Sequence, residues 1–318
     1  MSGTKHQNSA VMILSRDAQA YRDLLREEPG FDAPVHTFTE SEQAVAEYRG
    51  ERVVLGEPGL IADIIDHLSG VEWVQSTWAG VTPLVRSRRR DYQLTGVKEI
   101  FGAPMTEYVL AYLLANEIRL VERLRAQQQG IWLDQASGRL AGRHIGIMGT
   151  GSIGRHMARV LTGLNARVRG LSRSGTHREP FDSVQSVDRL PAFLEGLDYL
   201  ILTLPDTPET TGLLDASALS ALPPHAVVIN VGRGNAIDRD ALVEALNQGR
   251  IGGAVLDVFE EEPLPVKSPL WTARNLKITA HVAALTSPAE MLPVFIDNHA
   301  RFTRREPLRF EIDFDRGY

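Results

Sequence analysis

The segment 144–161, "HIGIMGTGSIGRHMARVL", constrains the fold more than any other part of the chain. A short, mostly apolar run leads directly into Gly149, Gly151 and Gly154, spaced Gly-x-Gly-x-x-Gly. From the last of these glycines onward, apolar residues stand at helical spacing: Ile153 beside Gly154, then Met157, Val160, Leu161 and Leu164. The pattern reads as a strand, a tight turn and a helix. Alone, the glycine spacing is weak evidence. Between a strand and a helix it predicts a dinucleotide turn. Gly149 makes the turn, Gly151 lets backbone approach a pyrophosphate, and Gly154 lets helix and strand pack closely. The helix start, with Ser152 and Ile153, offers free N–H groups and a positive dipole end to phosphates.

The same alternation recurs on both sides. Upstream, "VMIL", "RVVLG" and "VEWVQS" read as strands, the first two followed by helical patterns. Residues 103–127 form the longest helical pattern, read as one helix that joins two domains, with Pro104 in its first turn. From Gly142 onward, "HIGIM", "ARVRGL", "DYLILTLP", "AVVINV", "GAVLDV" and "LKITA" read as six parallel strands, enough for a complete doubly wound dinucleotide domain. A final helix is expected over 288–305. The tail "RFEIDFDRGY" alternates like a short strand. The fold class is therefore α/β, and 318 residues call for about two domains.

Composition removes several functions. With no cysteine there is no disulfide scaffold, thiolate zinc site or cysteine nucleophile. A net charge of −6 argues against nucleic acid as a partner. The eight histidines other than His281 show no metal-ligand spacing, so no metal is expected. The first ten residues are polar, and no apolar run approaches the roughly 18 residues of a membrane span. No membrane partner is expected, and the default compartment is the cytoplasm. The basic run "RSRRR" reads mainly as solvated surface, with Arg86 the member best placed to meet an anionic substrate.

The end of the second strand of this domain bears on the cofactor. An NAD-specific site usually places a carboxylate there to bind the ribose hydroxyls. Here the sequence reads Ser172, Arg173 and Ser174, with no carboxylate before Glu179. Serine and arginine can hydrogen-bond and pair with a 2′-phosphate that a carboxylate would repel. NADP(H) is therefore expected as the preferred cofactor, with NAD(H) as a second.

Three further segments end predicted strands, where ligands bind in open α/β sheets. "VINVGRGNAIDRDAL" carries Arg233, "GAVLDVFEEEPLP" carries Asp257 and Glu262, and "LKITAHVAALTSP" carries His281. Reducing a 2-oxo acid needs a cation for the carboxylate, a proton donor, and a neighbour that keeps the donor protonated. Arg233, His281 and Glu262 supply one of each. Arginine's planar fork matches a carboxylate. An isolated imidazole is mostly neutral at pH 7, and an adjacent carboxylate favours its proton-carrying form.

These segments resemble the D-2-hydroxyacid dehydrogenase family, which reads N-x-x-R-G, L-D-V-F-x-x-E-P and P-H. Within it they are most similar to bacterial glyoxylate/hydroxypyruvate reductases of the A type, where "HVAA", "PAE" and a final "RGY" recur. The resemblance covers the chain from about residue 71 onward. It implies reduction of small 2-oxo acids, such as glyoxylate and hydroxypyruvate, to 2-hydroxy acids. Arg233 would hold the substrate carboxylate and carbonyl, His281 would be the general acid, and Glu262 its partner. "TWAGV" resembles the substrate loop, in which Trp78 would shape the pocket and the N–H groups of Ala79, Gly80 and Val81 would bind the carboxylate. Leu204, Pro205 and Thr207 of "LPDTPET", together with Val231, Gly232, Asp257 and His281, would line the cofactor, Asp257 holding the nicotinamide carboxamide. The family pattern has proline before the histidine, where this chain has Ala280, and commonly a small residue at Trp78.

The resemblance also implies two domains. A Rossmann cofactor domain would span 99–283. A discontinuous, flavodoxin-like substrate domain would comprise 1–98 and 284–318. It further implies a homodimer with the helix around 107–121 at the interface, and in related reductases a tryptophan near Trp132 reaches the partner's site. Two other readings stay open: a dinucleotide-sensing protein without turnover, and an enzyme acting on another small anion or a larger 2-oxo acid. Glu262 speaks against formate, because formate enzymes of this family typically carry Gln there.

Overall fold

The structure is a computed structural model in which residues 10–317 are described. The polar N-terminal residues, His6 among them, and Tyr318 lie outside the described residues. The chain forms two compact units, one from 1–100 with 286–318 and one from 101–285.

Unit 1 contains β1 (Val11–Leu14), β2 (Val35–Phe38), β3 (Val53–Gly56), β4 (Trp73–Ser76) and β5 (Gln93–Thr95). All pair in parallel, in the order β2-β1-β3-β4-β5. This is the flavodoxin-like order. β1, β3 and β4 are buried along their whole length: β1 and β3 are apolar runs, and β4 buries Gln75 and Ser76 beside Trp73 and Val74. β2 and β5 escape a sequence reading for the opposite reason: one carries His36 and Thr37 and is only partly buried, the other is three residues long. The tail makes only an isolated antiparallel bridge from Glu311 to Thr95 rather than the expected strand. Phe310 has a φ of 59°, which interrupts any extended run.

The helix Pro288–Arg304 completes the core of this unit. Phe295 stacks on the fully buried Trp73 with centroids 5.4 Å apart, and Asn298 donates to the buried Gln75 Oε1 at 3.0 Å. His299 lies between the rings of Phe31 and Phe295, and its Nε2 has no hydrogen-bond partner among the described residues. Burial pulls its pKa below the ordinary imidazole value. The neutral ring is therefore favoured in the fold. Its stabilisation is present above about pH 6.5 and is lost as pH falls and the unfolded chain takes up the proton. His299→Phe is expected to flatten the decline of Tm between about pH 6.5 and pH 5. An unchanged Tm–pH slope would show that His299 does not control it.

Unit 2 contains β6 (His144–Met148), β7 (Arg167–Ser172), β8 (Ser183–Ser186), β9 (Tyr199–Leu202), β10 (Val227–Asn230), β11 (Gly253–Leu256) and β12 (Leu276–Ile278). They form one parallel sheet in the order β12-β11-β10-β9-β6-β7-β8. Seven strands stand where the sequence suggests six. The addition, β8, is the polar edge strand "SVQS", which has no apolar pattern to reveal it.

The helix expected over 103–127 is two helices, Gly102–Glu117 and Leu120–Gln128. Between them Arg119 adopts the left-handed conformation, with φ 54°. Neither glycine nor proline marks the break, so the apolar spacing runs across it unnoticed. Arg123 of the second helix donates to the carbonyl of Ile118 at 2.6 Å, satisfying a group freed at the break. Val109 and Leu113 are buried in the unit, whereas Leu114, Ile118, Leu120, Val121 and Leu124 are exposed. No helix among the described residues is long and apolar enough to cross a membrane.

Candidate active site

A parallel sheet gathers the C-terminal ends of its strands on one edge. Along that edge of unit 2, His281 follows β12, Asp257 follows β11, Arg233 follows β10, Leu204 follows β9, Gly149 follows β6, and Ser172 ends β7. The connections reverse direction between β6 and β9, and a crevice opens at such a switch point. The residues singled out in the sequence therefore form a row. The dinucleotide turn stands at the switch, and Arg233, Asp257 and His281 stand on the β10–β12 side.

The geometry of the turn fits a dinucleotide. Gly149 has φ +107°, and a Cβ there would lie 2.6 Å from Thr203 Oγ1. A Cβ on Gly154 would lie 2.0 Å from the carbonyl oxygen of Gly149, so the helix approaches the turn as closely as backbone allows. Gly151, by contrast, has open space around its missing Cβ. It caps the helix Ser152–Gly163 without any side-chain cap, which leaves the first N–H groups for a ligand.

At the end of β7, Ser172 accepts from the N–H of Gly175 at 3.2 Å, and Ser174 Oγ lies 2.8 Å from Thr176 Oγ1. Arg173 is exposed and within electrostatic reach of Glu209. That carboxylate lies far along the chain, and no residue pattern marks it as a neighbour of Arg173. Of the loop after β9, Leu204 and Thr207 are buried and Pro205 is exposed. The Thr207 hydroxyl is shared with Thr210 inside the loop. Val231 is buried. Gly232 is hemmed in, since a Cβ there would lie 2.7 Å from the N of Leu204.

The catalytic candidates hold one another in place. His281 has φ 54°, and its Nδ1 lies 2.8 Å from Glu262 Oε2. The other Glu262 oxygen accepts from the N–H of Phe259 at 2.8 Å, so the carboxylate is oriented before it meets the imidazole. His281 Nε2 has no hydrogen-bond partner among the described residues. The N–H of His281 donates to the carbonyl of Asp257 at 2.8 Å. The Asp257 side chain is only 1% exposed. It accepts from the N–H groups of Val282 and Ala283, each at 2.9 Å, and from Thr279 Oγ1 at 2.6 Å. Both of its oxygens are thus occupied in anchoring the turn that presents His281.

Arg233 is largely buried. Nη1 donates to the carbonyl of Gly232 at 2.6 Å, and no other guanidinium hydrogen bond is formed among the described residues. Burial lowers its pKa from the ordinary arginine value, opposed by the Asp206 and Glu262 charges. A buried guanidinium with unused donors is a strong site for a planar anion. Asn230 fixes the local backbone: its Nδ2 donates to the carbonyl of Arg233 at 2.9 Å, and its Oδ1 accepts from Gly232 N at 3.0 Å. Sequence reading did not single out Asn230, although its spacing before Arg233 was the available signal.

In unit 1, the loop after β4 carries Trp78, Ala79, Gly80 and Val81. Ser76 Oγ clamps it, accepting from Trp78 N at 3.1 Å and donating to Trp78 O at 2.8 Å. The N–H groups of Ala79, Gly80 and Val81 make no hydrogen bond among the described residues. Trp78 is exposed and Val81 buried. Arg86 is exposed at the C-terminal end of the helix Thr82–Val85. Its neighbours in the basic run are structural. Arg89 donates to the carbonyls of Ile65, Leu68 and Val71, and Arg90 pairs with Asp315.

Residues 110–283 match the family model described as D-isomer specific 2-hydroxyacid dehydrogenase, NAD binding domain. Glyoxylate/hydroxypyruvate reductase A of Yersinia enterocolitica is 38% identical over 216 residues, covering 67% of this chain and 68% of that protein. The crystal structure of a D-isomer specific 2-hydroxyacid dehydrogenase family protein from Aeromonas salmonicida is 39% identical. It superposes with a TM-score of 0.92 over 97% of this chain and 100% of that one. An NADPH-dependent glyoxylate/hydroxypyruvate reductase from Sinorhizobium meliloti, solved with NADP and sulfate, is 26% identical with a TM-score of 0.87, covering 98% and 100%. With the glycine turn at the switch of a seven-stranded parallel sheet and the match running through it, this chain belongs to the D-isomer specific 2-hydroxyacid dehydrogenase family of NAD(P)-dependent oxidoreductases.

Proposed function

We propose that the protein reduces small 2-oxo acids, glyoxylate and hydroxypyruvate among them, to 2-hydroxy acids, with NADPH preferred and NADH as a second cofactor. The observation that carries this reading is the buried Arg233, with unused donors, on the same sheet edge as the Glu262–His281 pair. Arg233 binds the carboxylate and carbonyl oxygen of the substrate through its fork. The orphan N–H groups of Ala79, Gly80 and Val81 are a second carboxylate-binding element. Bound NADPH supplies hydride to the keto carbon. His281 Nε2 gives its proton to the carbonyl oxygen, which becomes the hydroxyl, while Glu262 stabilises the charged imidazole that donates it. Purified protein should oxidise NADPH when given glyoxylate or hydroxypyruvate. Absence of turnover with both acids would leave the dinucleotide-sensing reading in its place.

The cofactor preference rests on Ser172 and Arg173 at the end of β7, where a carboxylate would stand in an NAD-specific site. Arg173→Ala should weaken NADPH binding about 10-fold or more, the scale of one charge-assisted contact, and leave NADH nearly unchanged. Titration of both nucleotides by fluorescence measures this, and equal losses would remove Arg173 from 2′-phosphate recognition.

The assembly is a homodimer in this reading. It is supported by the exposed apolar side chains Leu114, Ile118, Leu120, Val121 and Leu124, and by Trp132, which is 92% exposed. In this reading the compartment is the cytoplasm.

A further inference from the structure

We propose that Gly234 is a positioning residue that sets the spacing between Arg233 and the Glu262–His281 pair. The inference rests on the function proposed above and adds a part to it. Gly234 opens a short 3-10 turn directly after Arg233. Its φ is not positive, so conformational freedom is not what the position requires. Space is. A Cβ on Gly234 would lie 2.0 Å from the carbonyl carbon of Phe259, 2.3 Å from the N of Glu260 and 2.4 Å from the Cα of Phe259. All three are backbone atoms, which cannot swing aside as the end of a side chain can. Two main-chain segments are therefore pressed together with no side chain between them.

Each segment carries one half of the chemistry. On one side is Arg233. On the other, Phe259 N–H orients Glu262, which meets His281. The two sides are not equally free to move. Asn230 pins the Arg233 turn through two hydrogen bonds, and Gly232 holds it against Leu204 on its far side. The segment 259–262 is a loop between β11 and the short turn Pro269–Thr272. A methyl group at residue 234 therefore displaces the Glu262 segment and leaves Arg233 in place. Glu262 then loses its position against His281, while substrate binding through Arg233 persists.

The test compares Gly234→Ala, Glu262→Gln and the double variant, each checked for folding by its melting temperature and for NADPH affinity. Glu262 meets His281 Nδ1, Asp257 anchors the turn that carries it, and Arg233 lies within electrostatic reach of Glu262. Of these, only Glu262 moves in Gly234→Ala. Three results are expected. In Gly234→Ala, kcat for glyoxylate falls about 10- to 100-fold, within the range of general acid catalysis, while KM changes little. The limb on which kcat declines at high pH moves to lower pH, as it does in Glu262→Gln. The double variant loses no more than Glu262→Gln alone, because both substitutions remove the same interaction. Additive losses, or a limb at its wild-type position in folded Gly234→Ala, would overturn the inference. An unmoved limb in Glu262→Gln would instead overturn the role of Glu262, and this inference with it. If Gly234→Ala does not fold, Phe259→Gly loosens the same segment without adding atoms. The limb should then move in the same direction, and a wild-type profile would overturn the inference.

Discussion

Replacing His281 with alanine is expected to lower kcat for 2-oxo acid reduction about 100-fold or more while leaving NADPH affinity close to wild type. The expectation follows from how the side chain is held. Nδ1 is committed to Glu262 at 2.8 Å, which leaves Nε2 as the only ring nitrogen that can serve substrate. The turn that presents it is fixed independently by the Asp257 carboxylate through Val282 N and Ala283 N. Alanine therefore removes the proposed proton donor without releasing the turn, and on that proposal the loss should fall on the chemical step. Steady-state kinetics with glyoxylate, together with NADPH titration, separates the two. A kcat near wild type would exclude His281 as the acid.

Arg233→Ala should cost about 100- to 1000-fold in kcat/KM, in line with truncating one partner of a buried, hydrogen-bonded charge pair. A substantial part of this should appear in KM, because in the proposed role the guanidinium would hold the carboxylate in the ground state as well as in the transition state. Arg233→Lys should recover only a fraction. It restores the charge but not the planar fork, and the lysine must place a compact ammonium where burial already disfavours charge. Substrate saturation curves measure both variants. Full activity in the lysine variant would mean that charge alone suffices and that bidentate geometry is not used.

What the sequence made legible, and what it did not, has a common physical cause. Buried strands such as β1, β3 and β9 are continuous apolar runs, and the dinucleotide turn needs glycines at fixed positions because backbone atoms close to 2.0 Å of a would-be Cβ. Both leave marks in composition. β8 and β2 do not, because edge strands are held by backbone hydrogen bonds and can be polar. The break at Arg119 was hidden because its stabilising contact comes from a side chain, Arg123, that reads as an ordinary exposed helix residue. At the site, residue type points to Arg233, Glu262 and His281 as candidates. It does not point to their supports. Ser76 and the N–H of Phe259 act through backbone contacts that no residue type announces, Asn230 is marked only by its spacing before Arg233, and Glu209 approaches Arg173 only through the fold.

The helix Pro288–Arg304 belongs to unit 1 but follows all of unit 2 in the chain. During synthesis the order of completion is therefore reversed relative to the order of starting. Unit 2 has all its residues when residue 285 is added, while unit 1, begun first, still lacks Phe295 against Trp73 and Asn298 against Gln75. The nucleotide-binding sheet is therefore complete in sequence first, and the five strands of unit 1 gain their last packing partner only with residues 288–304.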